Sequence, residues 1–353
     1  MTARKKAEQA FRQRLTAVAK IIGILGIVLS LAGIVLYRSL VPDLVIPGTN
    51  FLTELNGRVQ ILEGRRQING VYIGKKGMLF QDPVKPDSVR TAITETAMSD
   101  FASKYTSVRS YVAIVPDAAA VQENLLPGNA PVRSQQTDID FFTGSLSGIT
   151  NIDIANTLKS NNEKYIYYRT DPHWTTLGAE AAFEKIAEEM SLDNVATDFT
   201  IHTVSKSFSG TLAETSGIDS SRDALNLYEQ SNSDMSYVLT YADTGSKSAT
   251  FYSSEGLNSD YPYNVFLGGD HSMIDIKTSN QNGRILLLVC DSYGNCLLPF
   301  LAPYFERIYM VNPDYYYNDI DELVTTGSTT DILYCYGADS ILTDSALARV
   351  LNG

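Results

Sequence analysis

The run Ile285-Leu286-Leu287-Leu288-Val289-Cys290, followed at once by Asp291-Ser292-Tyr293-Gly294-Asn295, decides the fold predicted for this chain. Six apolar residues in a row are typical of a strand that is buried on both faces, as in a parallel sheet. The turn after this strand leads into a predicted helix at residues 296–305. Further strands are predicted at Val108 to Val115, Arg307 to Val311 and Ile332 to Tyr336. Strands that alternate with helices predict an α/β fold with a largely parallel sheet.

A second stretch, Tyr168 to Ala179, holds the only tryptophan and one of the three histidines. Lys164 to Tyr168 is predicted to be a strand, and Thr175 to Met190 a helix with apolar spacing near 3.6. Sites in parallel sheets form at the carboxyl ends of strands. We therefore expect the turns that hold Asp171-Pro172-His173 and Asp291-Ser292 to meet at one edge. Trp174 is predicted to anchor its turn in the core.

The side chains on these two turns have the chemistry of nucleophilic catalysis. The hydroxyl of Ser292 needs a base within hydrogen-bonding distance, and His173 is the candidate. Asp171 is close enough in sequence to fix the tautomer of His173. One competing interpretation is a serine that only forms a turn or caps a helix. Another is a metal site built from Asp171, His173 and either His202 or His271. Those spacings match no strong zinc pattern, so we expect neither a metal nor another cofactor.

Shorter elements fill the rest of the chain. Gly70 to Phe80 predicts two strands around a glycine-rich turn, and residues 118–126 predict a short helix. Residues 197–265 are rich in Ser, Thr and Tyr, and we interpret them as short strands and loops, perhaps forming an insertion. The helix predicted at 87–106 has one apolar face, formed by Val89, Ile93, Ala97 and Phe101.

Three cysteines, Cys290, Cys296 and Cys335, are too few for a dense disulfide framework. Cys290 and Cys335 both lie in apolar, strand-like runs. We therefore expect buried free thiols, with a single disulfide as the alternative.

The first forty-one residues predict a membrane anchor. Residues 1–20 are basic, and Ile21 to Tyr37 carries no charge; extended to Val41, the segment is long enough to span a bilayer as a helix. We predict a cytoplasmic tail at 1–20, a signal-anchor helix at 21–41, a stalk at 42–67 and an extracytoplasmic domain at 68–353. A cleaved signal peptide is the alternative, although the apolar part is long and no clear cleavage site follows.

Beyond Arg38 the chain is strongly acidic, with 21 Lys and Arg residues against 39 Asp and Glu residues. The resulting net charge of about −18 argues against nucleic acid and anionic lipid as ligands. Both of those ligands need a basic surface on the protein.

Six short motifs follow one another along the chain: Gly70–Lys75, Ile114–Asp117, Tyr168–Thr175, Ser209–Leu212, Phe266–His271 and Asp291–Asn295. Together, and in this order, they resemble the DHHW family of extracytoplasmic SGNH-hydrolase-like proteins, which is related to the alginate O-acetyltransferases of bacterial cell envelopes. The third motif resembles the Asp-His-His-Trp signature, with Pro172 where the family usually has its first His. The likeness covers roughly residues 45–340.

The resemblance implies a three-layer α/β/α domain of flavodoxin-like type and a triad of Ser292, His173 and Asp171. It also implies an oxyanion-stabilising or substrate-binding group: Gly210, Gly268, Gly269 and Asp270. Asp270 stands where the family tends to have Asn, and an ionised carboxylate cannot donate to an oxyanion. Backbone N–H groups of Gly210, Gly268 or Ser292 are the alternative donors.

The function that the resemblance implies is O-acyl transfer, most simply O-acetylation, from an acyl donor to a cell-surface polysaccharide. Relatives of this kind often work beside a multipass membrane acyltransferase, and the anchor would hold this domain at the outer face of the cell membrane. Two alternatives stay open. One is a carbohydrate acetyl esterase with the same triad. The other is a non-catalytic carbohydrate-binding or assembly protein on a degenerate SGNH scaffold, which Pro172 and Asp270 support.

Overall fold

The computed structural model describes residues 49–353, except 63, 129, 131, 219, 220 and 232. The predicted tail (1–20), the anchor helix (21–41) and the first residues of the stalk lie outside the described residues. No helix in the described part of the chain is both long and apolar enough to cross a bilayer.

The described elements follow the chain in this order. The strands are β1 (Gln67–Ile68), β2 (Val71–Ile73), β3 (Leu79–Gln81), β4 (Arg109–Val115), β5 (Thr150–Asn151), β6 (Phe199–Phe208), β7 (Asp223–Gln230), β8 (Tyr237–Tyr241), β9 (Lys247–Ser248), β10 (Met273–Thr278), β11 (Ile285–Cys290), β12 (Arg307–Val311) and β13 (Asp331–Gly337). The helices are α1 (Thr49–Leu62), α2 (Ser88–Lys104), α3 (Ala118–Val121), α4 (Gln135–Ser145), α5 (Ile154–Ser160), α6 (Thr176–Glu189), α7 (Thr211–Ser216), α8 (Ser254–Leu257), α9 (Tyr293–Leu301), α10 (Asp321–Thr325), α11 (Ala338–Thr343) and α12 (Ala346–Asn352).

The central sheet has the strand order β5-β4-β13-β11-β12-β10-β8-β9. The first five strands are parallel, and β10, β8 and β9 extend the sheet with antiparallel pairings. The prediction of an α/β domain with a largely parallel sheet is confirmed. Strands β4, β13 and β11 lie side by side, so the residues that follow them share one edge of the sheet.

Helices cover both faces of this sheet. Along β11, Leu286 and Leu288 pack into one core with α6 and α9. Leu287 and Val289 pack into a second core with α2, α11 and α12 on the opposite face. Because neither face of β11 meets water, the strand reads as a continuous apolar run rather than an alternating one.

The prediction of a strand at Lys164 to Tyr168 is wrong. Only a single bridge joins Tyr167 to Trp174, and the chain instead folds back on itself. The N–H of Tyr168 donates to the carbonyl of His173 at 3.2 Å, and the N–H of Thr175 donates to that of Ile166 at 2.9 Å. Ile166, Tyr167 and Tyr168 are nevertheless fully buried under this loop. Their burial explains why an irregular segment has the composition of a strand.

The helix predicted at 87–106 forms as α2, capped by the Asp87 carboxylate, but its buried face was partly misassigned. Val89 and Ile93 are 67% and 46% exposed, whereas Thr94, Ala97 and Phe101 are buried. Each four-residue step turns about 40° beyond a full turn. Residues spaced four apart therefore do not stay on one face of the helix. Val89 and Ile93, at the start of the series, lie off the buried face that Ala97 and Phe101 share.

The segment 197–265 contributes to two sheets. Strands β6 and β7 form a separate antiparallel ribbon, while β8 and β9 belong to the central sheet. The glycine-rich turn predicted at 70–80 is confirmed as the β2–β3 pair. All three cysteines are buried free thiols.

Candidate active site

Ser292 lies between β11 and α9, at the carboxyl edge of the sheet. Its backbone is helical (φ −60°, ψ −17°), and its side chain makes no capping hydrogen bond to α9. The neighbouring Asp291 carboxylate fixes this turn by accepting from the N–H of Tyr293 at 3.0 Å and the N–H of Gly337, at the end of β13, at 2.9 Å. Burial raises the pKa of Asp291, although these hydrogen bonds act in the opposite direction.

Asp171 and His173 reach the same edge on the irregular loop rather than at a strand end. The buried carboxylate of Asp223, the first residue of β7, holds this loop. It accepts from the N–H groups of Arg169 and Thr170, both at 2.9 Å, and from the hydroxyls of Thr170 at 2.6 Å and Tyr165 at 2.5 Å. Four donors converging on one buried acceptor take the place of the strand that the sequence suggested.

The two turns bring three side chains into one line. The Oγ of Ser292 lies 2.7 Å from Nε2 of His173, and Nδ1 of His173 lies 2.7 Å from Oδ1 of Asp171. The backbone N–H of His173 also donates to Oδ1 of Asp171 at 3.1 Å. With the Nδ1 proton held by Asp171, Nε2 is free to accept the proton of Ser292.

The acid of this line is completely buried and surrounded by donors. Oδ2 of Asp171 accepts from the N–H of Thr211 at 3.1 Å and from the hydroxyl of Tyr261 at 2.8 Å. Burial alone would raise the pKa of Asp171. The charge of His173, together with hydrogen bonds from His173 and Tyr261, outweighs burial and lowers that pKa.

The lowered pKa of Asp171 predicts a pH-dependent contribution to stability. A carboxyl group whose folded pKa lies below its unfolded value of about 3.9 stabilises the fold above that pH. This stabilisation is lost as the pH falls through the folded value. We expect Asp171→Asn to lower the free energy of unfolding at neutral pH, and the difference from wild type to shrink below about pH 4.

Urea unfolding at several pH values measures this difference. Asp260→Asn is the control, because Asp260 is exposed and makes no hydrogen bond within the described residues. A difference between wild type and Asp171→Asn that stays constant from neutral to acid pH would contradict the expectation.

The backbone N–H groups of the glycines expected to stabilise an oxyanion already donate hydrogen bonds within the protein. The N–H of Gly210 donates to Oγ1 of Thr170 at 3.0 Å, and a Cβ at Gly210 would overlap the Asp171 side chain. The N–H groups of Gly268 and Gly269 donate to the carbonyls of Asn264 and Phe266 at 3.0 and 3.1 Å. Gly210 and Gly268, two of the alternative donors, are therefore already engaged in this structure.

The remaining alternative donor, the N–H of Ser292, has no acceptor among the described residues. Asp270 does not donate. Its Oδ1 accepts from Nδ2 of Asn295 at 2.9 Å, and the Asn295 side chain is almost fully buried. Asn295 belongs to the turn quoted at the outset, but sequence reasoning gave it no role.

The other two histidines lie apart from this line. His202 pairs with Glu229 on the β6–β7 ribbon at 3.3 Å, and His271 pairs with Asp243 at 2.7 Å. Within the described part of the chain, no group of three or more His, Cys, Asp and Glu side chains is arranged to hold a metal ion.

Three tyrosines, Tyr261, Tyr263 and Tyr293, surround the imidazole, and sequence reasoning gave a role to none of them. The ring of Tyr263 stacks on that of His173, with centroids 4.3 Å apart and planes inclined by 19°. The ring of Tyr293 approaches at 4.7 Å, and its hydroxyl donates to the carbonyl of Pro172 at 2.9 Å. Trp174 is completely buried and donates through Nε1 to the carbonyl of Tyr293, as expected of a core anchor.

A helix-covered, largely parallel sheet with a Ser-His-Asp line at its carboxyl edge is the arrangement expected of an SGNH hydrolase-like domain. Residues 73–257 match the family model described as SGNH hydrolase-like domain, acetyltransferase AlgX. This match covers more than half of the chain, and the chain belongs to that family. The match includes Asp171 and His173 but ends before Ser292, so the place of Ser292 in the site depends on geometry.

Solved structures agree with this assignment. A DHHW family protein from Eubacterium siraeum is 25% identical over 80% of this chain and 95% of that chain, with a TM-score of 0.69. PatB1 from Bacillus cereus, solved with a sulfonyl adduct, has the same fold at 19% identity; the alignment covers 80% of this chain and 99% of PatB1, with a TM-score of 0.66. A search of curated proteins found no match. The predicted resemblance to the DHHW and alginate acetylation proteins is confirmed.

Proposed function

We propose that this protein is an O-acyltransferase, most simply an O-acetyltransferase, that modifies a cell-surface polysaccharide through Ser292, His173 and Asp171. The observation that carries the proposal is the unbroken contact from hydroxyl to imidazole to buried carboxylate, with both steps at 2.7 Å. It occurs in a domain of an acetyltransferase family.

The first half of the reaction forms an acyl-enzyme. Oγ of Ser292 attacks the carbonyl carbon of the acyl donor while Nε2 of His173 takes its proton. The N–H of Ser292 donates to the developing oxyanion. When the tetrahedral intermediate collapses, the bond to the leaving group breaks and His173 returns the proton to that group. Asp171 holds the imidazole in place and stabilises its charged form throughout.

The second half repeats these steps with the acceptor. A sugar hydroxyl attacks the acyl-enzyme carbonyl and gives its proton to His173. Ser292 then leaves and recovers the proton, so the products are an acylated sugar and the free enzyme. Water in place of the sugar would release a free acid, which is the esterase reaction of the same three residues.

We further propose that residues 21–41 anchor the protein in the cell membrane with residues 68–353 on the extracytoplasmic face. The basic residues before this segment and its uncharged length support that orientation. A multipass membrane acyltransferase that exports the acyl group is the partner that such an anchor would keep within reach.

Acyl transfer is tested by incubating the full-length protein with an activated acetyl ester, with and without oligosaccharides from bacterial surface polymers. We expect acetylated sugar to form in proportion to the oligosaccharide added. Acetate release that no oligosaccharide diverts would identify an esterase instead. A non-catalytic protein would show neither product, and a fluorophosphonate probe would label wild type no more than Ser292→Ala.

A further inference from the structure

One short segment, Tyr261-Pro262-Tyr263, contacts both the acid and the base of the site. Tyr261 precedes the 3₁₀ helix Pro262–Val265, and its hydroxyl lies 2.8 Å from Oδ2 of Asp171. The ring of Tyr263 stacks on His173. We propose that these two tyrosines are positioning residues that clamp the acid–base pair, Tyr261 through its hydroxyl and Tyr263 through its ring. This inference rests on the proposed function.

Tyr261 completes the donor set of a carboxylate that has no access to water. Oδ1 of Asp171 is taken by the ring and backbone nitrogens of His173, which leaves Oδ2 for Tyr261 and Thr211. Burial and the charge of Asp171 raise the pKa of Tyr261, so the phenol stays neutral and donates. Its oxygen also lies 3.3 Å from Nδ1 of His173. Loss of this hydroxyl leaves Oδ2 with the weaker contacts from Thr211 and loosens the orientation of the base.

Tyr263 acts on the charge that develops during the reaction. His173 becomes an imidazolium when it takes the proton of Ser292, and the face of an aromatic ring attracts a cation held against it. The stacked geometry, with rings nearly parallel, presents that face to the imidazole. The hydroxyl of Tyr263 makes only a long contact, 3.5 Å, with the carbonyl of Ser292. The ring of Tyr263, and not its hydroxyl, therefore stabilises the imidazolium.

The local sequence explains why Tyr261 contacts Asp171 through its hydroxyl while Tyr263 contacts His173 through its ring. Pro262 starts the 3₁₀ helix, and the preceding Tyr261 is extended (φ −123°, ψ 90°), so its side chain leaves the turn toward Asp171. Tyr263 is 2% exposed and packs on Phe266, with centroids 5.1 Å apart. Its ring is thereby fixed against His173.

Other titratable groups also lie close to the imidazole, and none of them is substituted in the variants described below. The titratable groups that face His173, besides the two tyrosines of the clamp, are Asp171, Asp291 and Tyr293.

The clamp predicts an unusual pattern among conservative variants. Tyr261→Phe keeps the ring and loses the hydroxyl, and we expect kcat to fall about 3- to 30-fold with little change in KM. Tyr263→Phe keeps the ring, and we expect kcat within about twofold of wild type. Tyr252→Phe is the matched control for hydroxyl loss, because the Tyr252 hydroxyl donates to a backbone carbonyl outside the site.

The role of the ring has a readout that does not need turnover. The chain has three histidines, so labelled His173 can be followed by NMR and assigned with His202→Gln and His271→Gln. We expect its titration midpoint in Tyr263→Leu to lie about half a pH unit or more below that of wild type, because the imidazolium has lost its aromatic partner. Phe183→Leu removes a buried aromatic ring that packs on Phe300 and Tyr304 instead of on the clamp, and it should leave the midpoint unmoved.

Two results would overturn the clamp. One is a midpoint in Tyr263→Leu that moves no further than in Phe183→Leu, and the other is a kcat in Tyr261→Phe equal to that of Tyr252→Phe. If Tyr263→Leu fails to fold, the comparison of Tyr261→Phe with Tyr252→Phe can still overturn the clamp through the hydroxyl of Tyr261. Failure of the proposed function is a separate result, because undiminished turnover by Ser292→Ala would refute acyl-enzyme formation while leaving the His173 titration interpretable.

Discussion

Replacing Ser292 with alanine is expected to lower kcat for acyl transfer by about four to six orders of magnitude. The loss is large because the substitution removes the atom that forms the acyl-enzyme and leaves His173 with no hydroxyl to deprotonate. The fold should be unaffected, since the Ser292 side chain makes no capping hydrogen bond to α9, and within the described residues its hydrogen bond is to His173. Steady-state kinetics with an activated acetyl ester and an oligosaccharide acceptor measures the change. Ser147→Ala, at an exposed serine, is the control.

The double variant tests whether the two residues act as one unit. His173→Gln alone should approach the loss seen in Ser292→Ala, because the hydroxyl is inert without its base. Ser292→Ala combined with His173→Gln should then be about as active as either single variant, as is usual for groups that work together. Losses that multiply in the double variant would show that Ser292 and His173 contribute independently. A relay through the 2.7 Å contact would then be wrong.

The sequence predicts an element of this fold correctly when its residue pattern can arise in only one kind of environment. β11 and β12 have the predicted bounds, because a strand covered on both faces is apolar at every position. The segment Ile166 to Tyr168 is as apolar as a strand, yet it is buried in a loop, and composition cannot distinguish the two environments. The conformation of that segment is determined by hydrogen bonds within the loop and by long-range contacts with Asp223.

The same division holds for the site. Ser292, His173 and Asp171 could be nominated because their residue types, and the turns that carry them, limit the chemistry. Asp223 and Tyr261 lie about 50 and 90 residues from the Asp171 loop in sequence, and nothing local links them to it. The engaged N–H groups of Gly210 and Gly268 were equally hidden, because only the folded backbone shows which donors are already used.

Asp223→Ala is expected to have the largest effect on stability, lowering the free energy of unfolding by about 3–5 kcal/mol. Asp223 is 0% exposed and accepts from four donors, two of them backbone N–H groups of Arg169 and Thr170. Alanine leaves these buried donors without an acceptor, and each unsatisfied donor costs free energy because water cannot reach it. Urea unfolding at neutral pH measures the loss. Arg169→Ala is the comparison.

The arginine variant separates the hydrogen bonds from the ion pair. The guanidinium of Arg169 lies 3.6 Å from Asp223, but the Arg169 side chain is 39% exposed, so its loss should cost at most about 1 kcal/mol. We therefore expect Asp223→Ala to be several times more destabilising than Arg169→Ala. It should also lower kcat, since Thr170 carries the loop to Asp171 and accepts from the N–H of Gly210. Equal destabilisation by the two variants would mean that the Asp171 loop is held by packing alone, and that its place at the sheet edge does not need the buried carboxylate.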